Sequence, residues 1–246
     1  FGISNLMGII LMMTLVGVIV FFGTPLIEKL LSFWSIILYG VFAIMFLVVY
    51  LLYGDAIGSS FNQQPSDISW TMGGIKYAAY NIGLVPAILF CVRHIKTRKE
   101  AIISGLVAGA IGMIPAVFMF FAMLSQYPNV LNASVPVNAV LDKIGWDWFK
   151  LIFQIVLFGT FIETGVGVIH GFNERIASVY TALSNQWRSA IGIILLIVSI
   201  FIANAVGLVG LIAKGYGGLT WAYWIIFVIP VLTIGVWKIL KPTKKN

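Results

Sequence analysis

The chain has 246 residues, of which 61% are hydrophobic and 9% charged, against about a quarter charged in soluble domains. With a mean hydropathy of +1.04, it excludes a soluble globular domain and points to an integral membrane protein. The formal net charge of +7 does not argue for nucleic acid, because the basic residues sit at the ends of apolar runs and no basic domain presents them.

Phe1 is not an initiator methionine, and no basic n-region with a small-residue cleavage site precedes the first apolar run. A signal peptide is therefore not expected, and the chain reads as a piece of a longer one. Cys91 is the single cysteine, which excludes an intrachain disulfide and leaves the redox compartment unread.

Seven apolar runs approach the roughly 20 residues needed to cross the hydrocarbon: residues 6–22, 31–53, 70–95, 101–124, 148–170, 190–213 and 219–240. Basic residues alternate between the connections. Lys29 follows the first run; Arg93, Lys96, Arg98 and Lys99 follow the third; Arg175 and Arg188 follow the fifth; Lys241, Lys244 and Lys245 form the tail 241–246. The other connections, 54–69, 125–147 and 214–218, hold only Lys143 and Lys214. The positive-inside bias then places Phe1 outside and Asn246 in the cytoplasm. An outside start without a targeting signal predicts an odd number of helices upstream.

The third run, SWTMGGIKYAAYNIGLVPAILFCVRHI with its preceding serine, carries Lys76, Asn81, Gly83 and Pro86. Pro86 removes a backbone donor and clashes with the carbonyl of Ile82, four residues back, so the helix is expected to break over residues 80–85 with the loss of helical hydrogen bonds from Asn81 to Val85. Irregular backbone at membrane depth is tolerated where it is buried in protein or lines a wet cavity, and discontinuous helices hold substrates and ions in many secondary transporters. The competing reading is a proline kink patched by neighbouring helices. Asn81 offers a donor and an acceptor beside the break. The free N–H groups after the break favour anions and the bare carbonyls before it favour cations, a combination suited to a zwitterion or an ion. Lys76 has two readings, an ammonium that snorkels to the outer interface or one that faces a cavity and pairs with Glu163 or a substrate carboxylate.

The fourth run places Gly105, Gly109, Gly112 and Ala116 along one helix face, first of all a packing surface for another helix, and Pro115 adds an expected kink. The outer connection 125–147 contains YPNVLNASVPVNAVLDKIG, with one or two helical turns expected at 137–144, and reads as a lid. Asn132-Ala133-Ser134 fits a glycosylation acceptor, a chance-prone pattern without meaning in a bacterial chain. Trp34, Trp70, Trp146, Trp148, Trp187, Trp221 and Trp224 read as interfacial anchors first and ligand platforms second.

Seven of the eight carboxylates lie at run ends or in connections, and Glu163 alone is deep in an apolar run. At about 100° per residue, Thr160, Glu163, Thr164, Gly167, His170 and Gly171 share one helix face, while Gln154 points the other way. An ionisable residue at that depth costs a few kcal/mol unless it pairs, meets water or takes up a proton, which makes it a functional candidate; the competing reading is a protonated side chain bonded to a neighbouring helix. Asn204 in the sixth run reads as an interhelical hydrogen bond.

Enzyme signatures are absent from the sequence. Glu163 and His170 are about 10 Å apart along a helix, too far to share a metal, and there is no H-E-x-x-H, G-x-S-x-G, Walker loop or C-x-x-C. No basic aromatic surface for nucleic acid appears either. No enzyme activity and no bound cofactor are expected.

The order of these features resembles helices four to ten of the LeuT-like inverted-repeat fold of the amino acid, polyamine and organocation transporter superfamily. More narrowly, W-x-x-G-G-I-K-Y-A-A-Y-N at 70–81 and ETGVGVIHGFNER at 163–175 resemble the YkvI-type membrane protein family of bacteria. The resemblance implies an all-α polytopic fold in which seven helices of a ten-helix, five-plus-five bundle are present and the third is broken. Residues 1–53 would end the first repeat and residues 70–240 form the second. It implies that Tyr80, Asn81, Ile82 and Gly83 lie near the substrate, and that Thr160, Glu163 and Thr164 lie near a coupling proton or a Na⁺ site. The half of the site on the first helix lies outside these residues, so the missing N-terminal helices are expected partners.

The function expected is a secondary active transporter, a symporter in the bacterial inner membrane, for an amino-acid-like or amine solute. Rival readings are a channel, a seven-helix receptor and a non-transporting sensor on the same fold. Saturable gradient-coupled flux separates the first, intact mass the second, and binding without flux the third. The solute, the coupling ion and the oligomeric state are not readable from the sequence.

Overall fold

The structure, a computed structural model, describes residues 5–21, 24–63, 69–133, 135–180, 184–206, 210, 215 and 217–241. The expectations that fall on Asp67, Ser134, Lys214, Lys244 and Lys245 lie outside the described residues, as does the side chain of Asn204. Every element among the described residues is helical: α1 (Asn5–Phe21), α2 (Thr24–Asn62), α3 (Ser69–Ile82), α4 (Val85–Ile88), α5 (Arg98–Leu124), α6 (Pro136–Ile144), α7 (Asp147–Val179), α8 (Asn185–Val206) and α9 (Gly217–Leu240). Short 3₁₀ turns follow α4 (Leu89–His94) and precede α6 (Asn129–Asn132).

Among the described residues, four helices are long and apolar enough to cross a membrane: Leu26–Asn62 of α2, Arg98–Leu124, Asp147–Val179 and Gly217–Leu240. Met7–Phe21 and Gln186–Ile202 are shorter apolar helices. The run 70–95 is divided among α3, α4 and a 3₁₀ turn.

Contacts divide the chain into two compact units, Phe1–Pro65 with Cys91–His170 and Ser66–Phe90 with Gly171–Asn246, and α7 runs from the first into the second. In the first unit the core joins Val41, Met45 and Val49 of α2, spaced four apart, to Phe149, Phe153 and Val156 of α7, the spacing that keeps side chains on one helix face. Phe42 stacks on Phe153 at 5.5 Å and Phe46 on Phe118 of α5 at 5.0 Å.

The segment expected as a lid is docked into this core. Pro136 opens α6, where a missing N–H costs nothing, and Gly145 closes it at a φ of 73°, a left-handed conformation that glycine adopts readily. Val137, Val140, Leu141 and Ile144 are all buried. The kink in α2 at Tyr53 (φ −135°, ψ 25°) lies beside it, and the Tyr53 hydroxyl donates to the carbonyl of Lys143 at 2.8 Å. Lys150 pairs with Asp142.

A capping box starts α5. The Glu100 N–H donates to Thr97 Oγ1 at 3.2 Å, while Glu100 Oε2 accepts from the N–H groups of Lys96 at 3.0 Å and Thr97 at 3.4 Å. The helix then continues through Pro115 as one element. Its small-residue face meets nothing described: a Cβ at Gly105, Gly109 or Gly112 would have no atom within 4 Å.

In the second unit α3 packs along α9. Ala79 on α3 and Gly83 just beyond its end are buried, as are Thr220 and Val228 on α9. Helix α9 is not regular. Residues Trp224–Val228 and Val231–Gly235 form two π stretches, in which the N–H of Ile229 reaches the carbonyl of Trp224 and that of Val236 the carbonyl of Val231, five residues back. Pro230 lies between them. It has no N–H to donate, and its ring would collide with a carbonyl four residues back in a regular helix, a clash that a wider turn relieves.

Candidate functional site

Two groups of side chains carry the expected chemistry, and each belongs to one unit.

The first lies at the junction of α3 and α4. Helix α3 ends at Ile82, Gly83 and Leu84 form a turn, and α4 begins at Val85. Pro86, in the first turn of α4, has no N–H to offer the carbonyl of Ile82. The interruption is a tightening. The Gly83 N–H still bonds the carbonyl of Ala79 at 2.9 Å, the Leu84 N–H shifts to the carbonyl of Asn81 at 3.1 Å, and Leu84 stays right-handed at φ −80°, ψ −17°. The expected loss of helical bonds from Asn81 to Val85 is thus not met at Gly83. At Leu84 the bond is retained one residue closer.

Of the five residues expected near a substrate, Gly83 alone is buried; Lys76, Asn81 and Ile82 are exposed and Tyr80 is half-buried. The Asn81 amide turns back on its own helix, with Nδ2 donating to the carbonyl of Tyr77 at 2.8 Å. Tyr80 and Tyr77 meet edge to face at 5.8 Å. Gly83 is covered by the ring of Tyr223 from α9: an added Cβ would collide with Cδ2, Cε2 and Cγ of that ring. Only glycine allows this approach. The next residue, Trp224, opens the first π stretch, and its buried Nε1–H has no hydrogen-bond partner among the described residues.

The second group lies on α7. The Thr160 hydroxyl donates to the carbonyl of Val156 at 2.9 Å and accepts the indole N–H of Trp34 at 3.3 Å. The Thr164 hydroxyl donates to the carbonyl of Thr160 at 2.9 Å. Glu163 is half-buried between them in sequence and has neither ion pair nor hydrogen bond among the described residues. Gly167 and His170 on the same face are buried. Trp34, expected as an anchor first and a platform second, lies over Gly159, where an added Cβ would collide with its ring. Further along α7, Asn173 Nδ2 donates to the carbonyl of Arg188 at 3.0 Å, and Arg188 pairs with Glu174.

Sequence reasoning singled out Glu163 for its depth and Gly83 for its place in the break. It missed the partners Trp34 and Tyr223, because each contacts its glycine from a distant part of the chain, and tryptophan near the end of an apolar run carries the same sequence signal whether it anchors or packs.

Over 209 residues the chain is 21% identical to an uncharacterized membrane protein, YkvI, of Bacillus subtilis (strain 168), an alignment covering 82% of this chain and 58% of that relative. The chain thus spans less than two thirds of the relative's length. No family model matches the sequence, and no solved structure matches the chain. A membrane-protein relative, the composition and the apolar helices together make this an all-helical membrane protein.

Proposed function

We propose that the chain is part of a secondary active transporter for a small polar or zwitterionic solute, coupled to H⁺ or Na⁺ and working by alternating access around the α3–α4 interruption. The observation that supports this most is the pinched turn at Gly83 inside an apolar run, covered by a helix that itself leaves regular α geometry. Irregular backbone of this kind within a bilayer is kept where it serves a passage or a ligand. On this reading the LeuT-like arrangement supplies the frame, and the remaining helices of the site come from the part of a longer protein that the relative's length suggests.

Glu163 is the coupling residue in this proposal. Thr160 is already engaged on both sides, giving its proton to Val156 and a lone pair to Trp34, so it has little left for a cation. Glu163 and Thr164 keep free oxygen lone pairs, three oxygens in all, a set better matched to holding a proton than to the larger oxygen cage that a metal cation takes.

The test is solute uptake into proteoliposomes of the full-length protein under imposed proton and sodium gradients. Glu163→Gln is expected to lower gradient-driven uptake by at least tenfold while solute binding persists. Undiminished gradient-driven uptake removes Glu163 from the mechanism, and binding without flux in the wild type replaces the transporter by a sensor.

A further inference from the structure

We infer that α9 supplies a solute contact beside the α3–α4 interruption: the indole N–H of Trp224, the residue that follows the tyrosine packed on Gly83, donates to a carboxylate oxygen of the solute. The inference rests on the transporter reading and deepens it by naming a donor and the group it recognises.

Three observations bear on this stretch of α9. The Trp224 Nε1–H is buried and has no acceptor among the described residues, and a buried donor without a partner is disfavoured strongly enough to require a reason. In a bilayer water does not provide one. Helix α9 changes from α to π geometry at this same residue, and π turns inside helices are frequent at functional sites. Helix α3 contributes the one glycine of its break, and Tyr223 lies flat against it. The polar side chains of α3 expected near a solute, Lys76 and Asn81, both lie exposed, and Asn81 already donates to the Tyr77 carbonyl.

An indole nitrogen only donates. Its partner must therefore bring an acceptor, and the strongest one a small zwitterion carries is its carboxylate. The donor is covered in this conformation, so the contact forms when the seam between Gly83 and Tyr223 parts, a movement that alternating access asks of an interrupted helix. The tight ring-on-glycine contact is then the closed position of that seam.

The experiment uses the full-length protein in nanodiscs, screened with the twenty common amino acids by thermal shift and then by titration with whichever gives the largest shift. Trp224→Phe removes the donor together with the pyrrole part of the indole and keeps one aromatic ring, so the folded variant's ligand-free Tm is measured beside its affinity. Its affinity for the amino acid should fall about tenfold, the loss expected for one hydrogen bond to a charged group. Trp224→His, which keeps an N–H, should recover part of it. An unchanged affinity in Trp224→Phe overturns the inference and leaves the transporter reading standing. A wild type that binds none of the twenty overturns the zwitterion site itself, and the inference with it. Should Trp224→Phe fail to fold, the 5-fluorotryptophan resonance missing from Trp224→His reports the same contact in the wild type, where a shift on adding the amino acid supports the inference and none overturns it.

Discussion

At Gly159 and Thr160 one tryptophan does two things: the Trp34 ring occupies the space a side chain at 159 would need, and its N–H binds the hydroxyl at 160. Gly159→Ala should therefore destabilise the protein by about 1–3 kcal/mol, the usual cost of overfilling a packed site, read as a lower Tm in detergent. Pairing it with Trp34→Ala should return most of that loss, and a double-mutant cycle with no coupling would separate the two residues. Trp34→Phe keeps most of the ring and loses the bond to Thr160, a cost of about 0.5–1.5 kcal/mol. Glu163 was legible from the sequence because depth in an apolar run is a one-dimensional property. Trp34 was not, since its partner is 126 residues away and tryptophan near a run's end signals an anchor by frequency alone. Gly83 stands between these cases: its place beside Pro86 was readable, the tyrosine lying on it was not.

Helices α5 and α9 show what local chemistry settles and what it leaves to neighbours. The start of α5 is fixed within five residues by Thr97 and Glu100, a reciprocal pattern written in the sequence as T-R-K-E. Thr97→Ala should cost about 1 kcal/mol and raise amide exchange in the first turn, with the C-terminal half of α5 unaffected; uniform loss of protection would show that the cap holds more than its own turn. The small-residue face of the same helix was equally readable, but its partner is not among the described residues. Because an added Cβ at Gly105 or Gly109 touches nothing, alanine at either position should not lower the stability of this chain, and it removes the backbone freedom that glycine brings to a helix. A drop in Tm for Gly109→Ala in the full-length protein, with none in the chain alone, would mean that a helix from elsewhere lies on that face. The π stretches of α9 were illegible because hydropathy does not distinguish a wide turn from a regular one. Pro230 was the only cue, and it reads as a kink unless the tyrosine and glycine of the seam are already known to meet.

For the molecule in its bilayer, α2 sets the scale. Its 39 residues extend about 58 Å at 1.5 Å per residue, and even at a tilt of about 40° this exceeds the roughly 30 Å of hydrocarbon. The turns beyond the Tyr53 kink, with Asp55, Ser59 and Ser60, are the polar end, and in the orientation proposed from the basic residues that end faces outside. In a Cys91→Ser background, Ser59→Cys should react with a membrane-impermeant maleimide on intact cells; labelling only after permeabilisation would reverse the assigned orientation. The membrane class and helical composition were legible from residue counts. Which runs reach full length, and how α6 seats into the first unit, depended on contacts among Met45, Leu141 and Phe153 that no linear pattern specifies. The hydroxyl bond from Tyr53 to Lys143 turns this bend into a fastened joint, tying the polar end of α2 to the short amphipathic wedge beside it. A nanobody that grips residues 54–62 would thus hold the wedge still as well, giving an external brake on whatever the buried parts do.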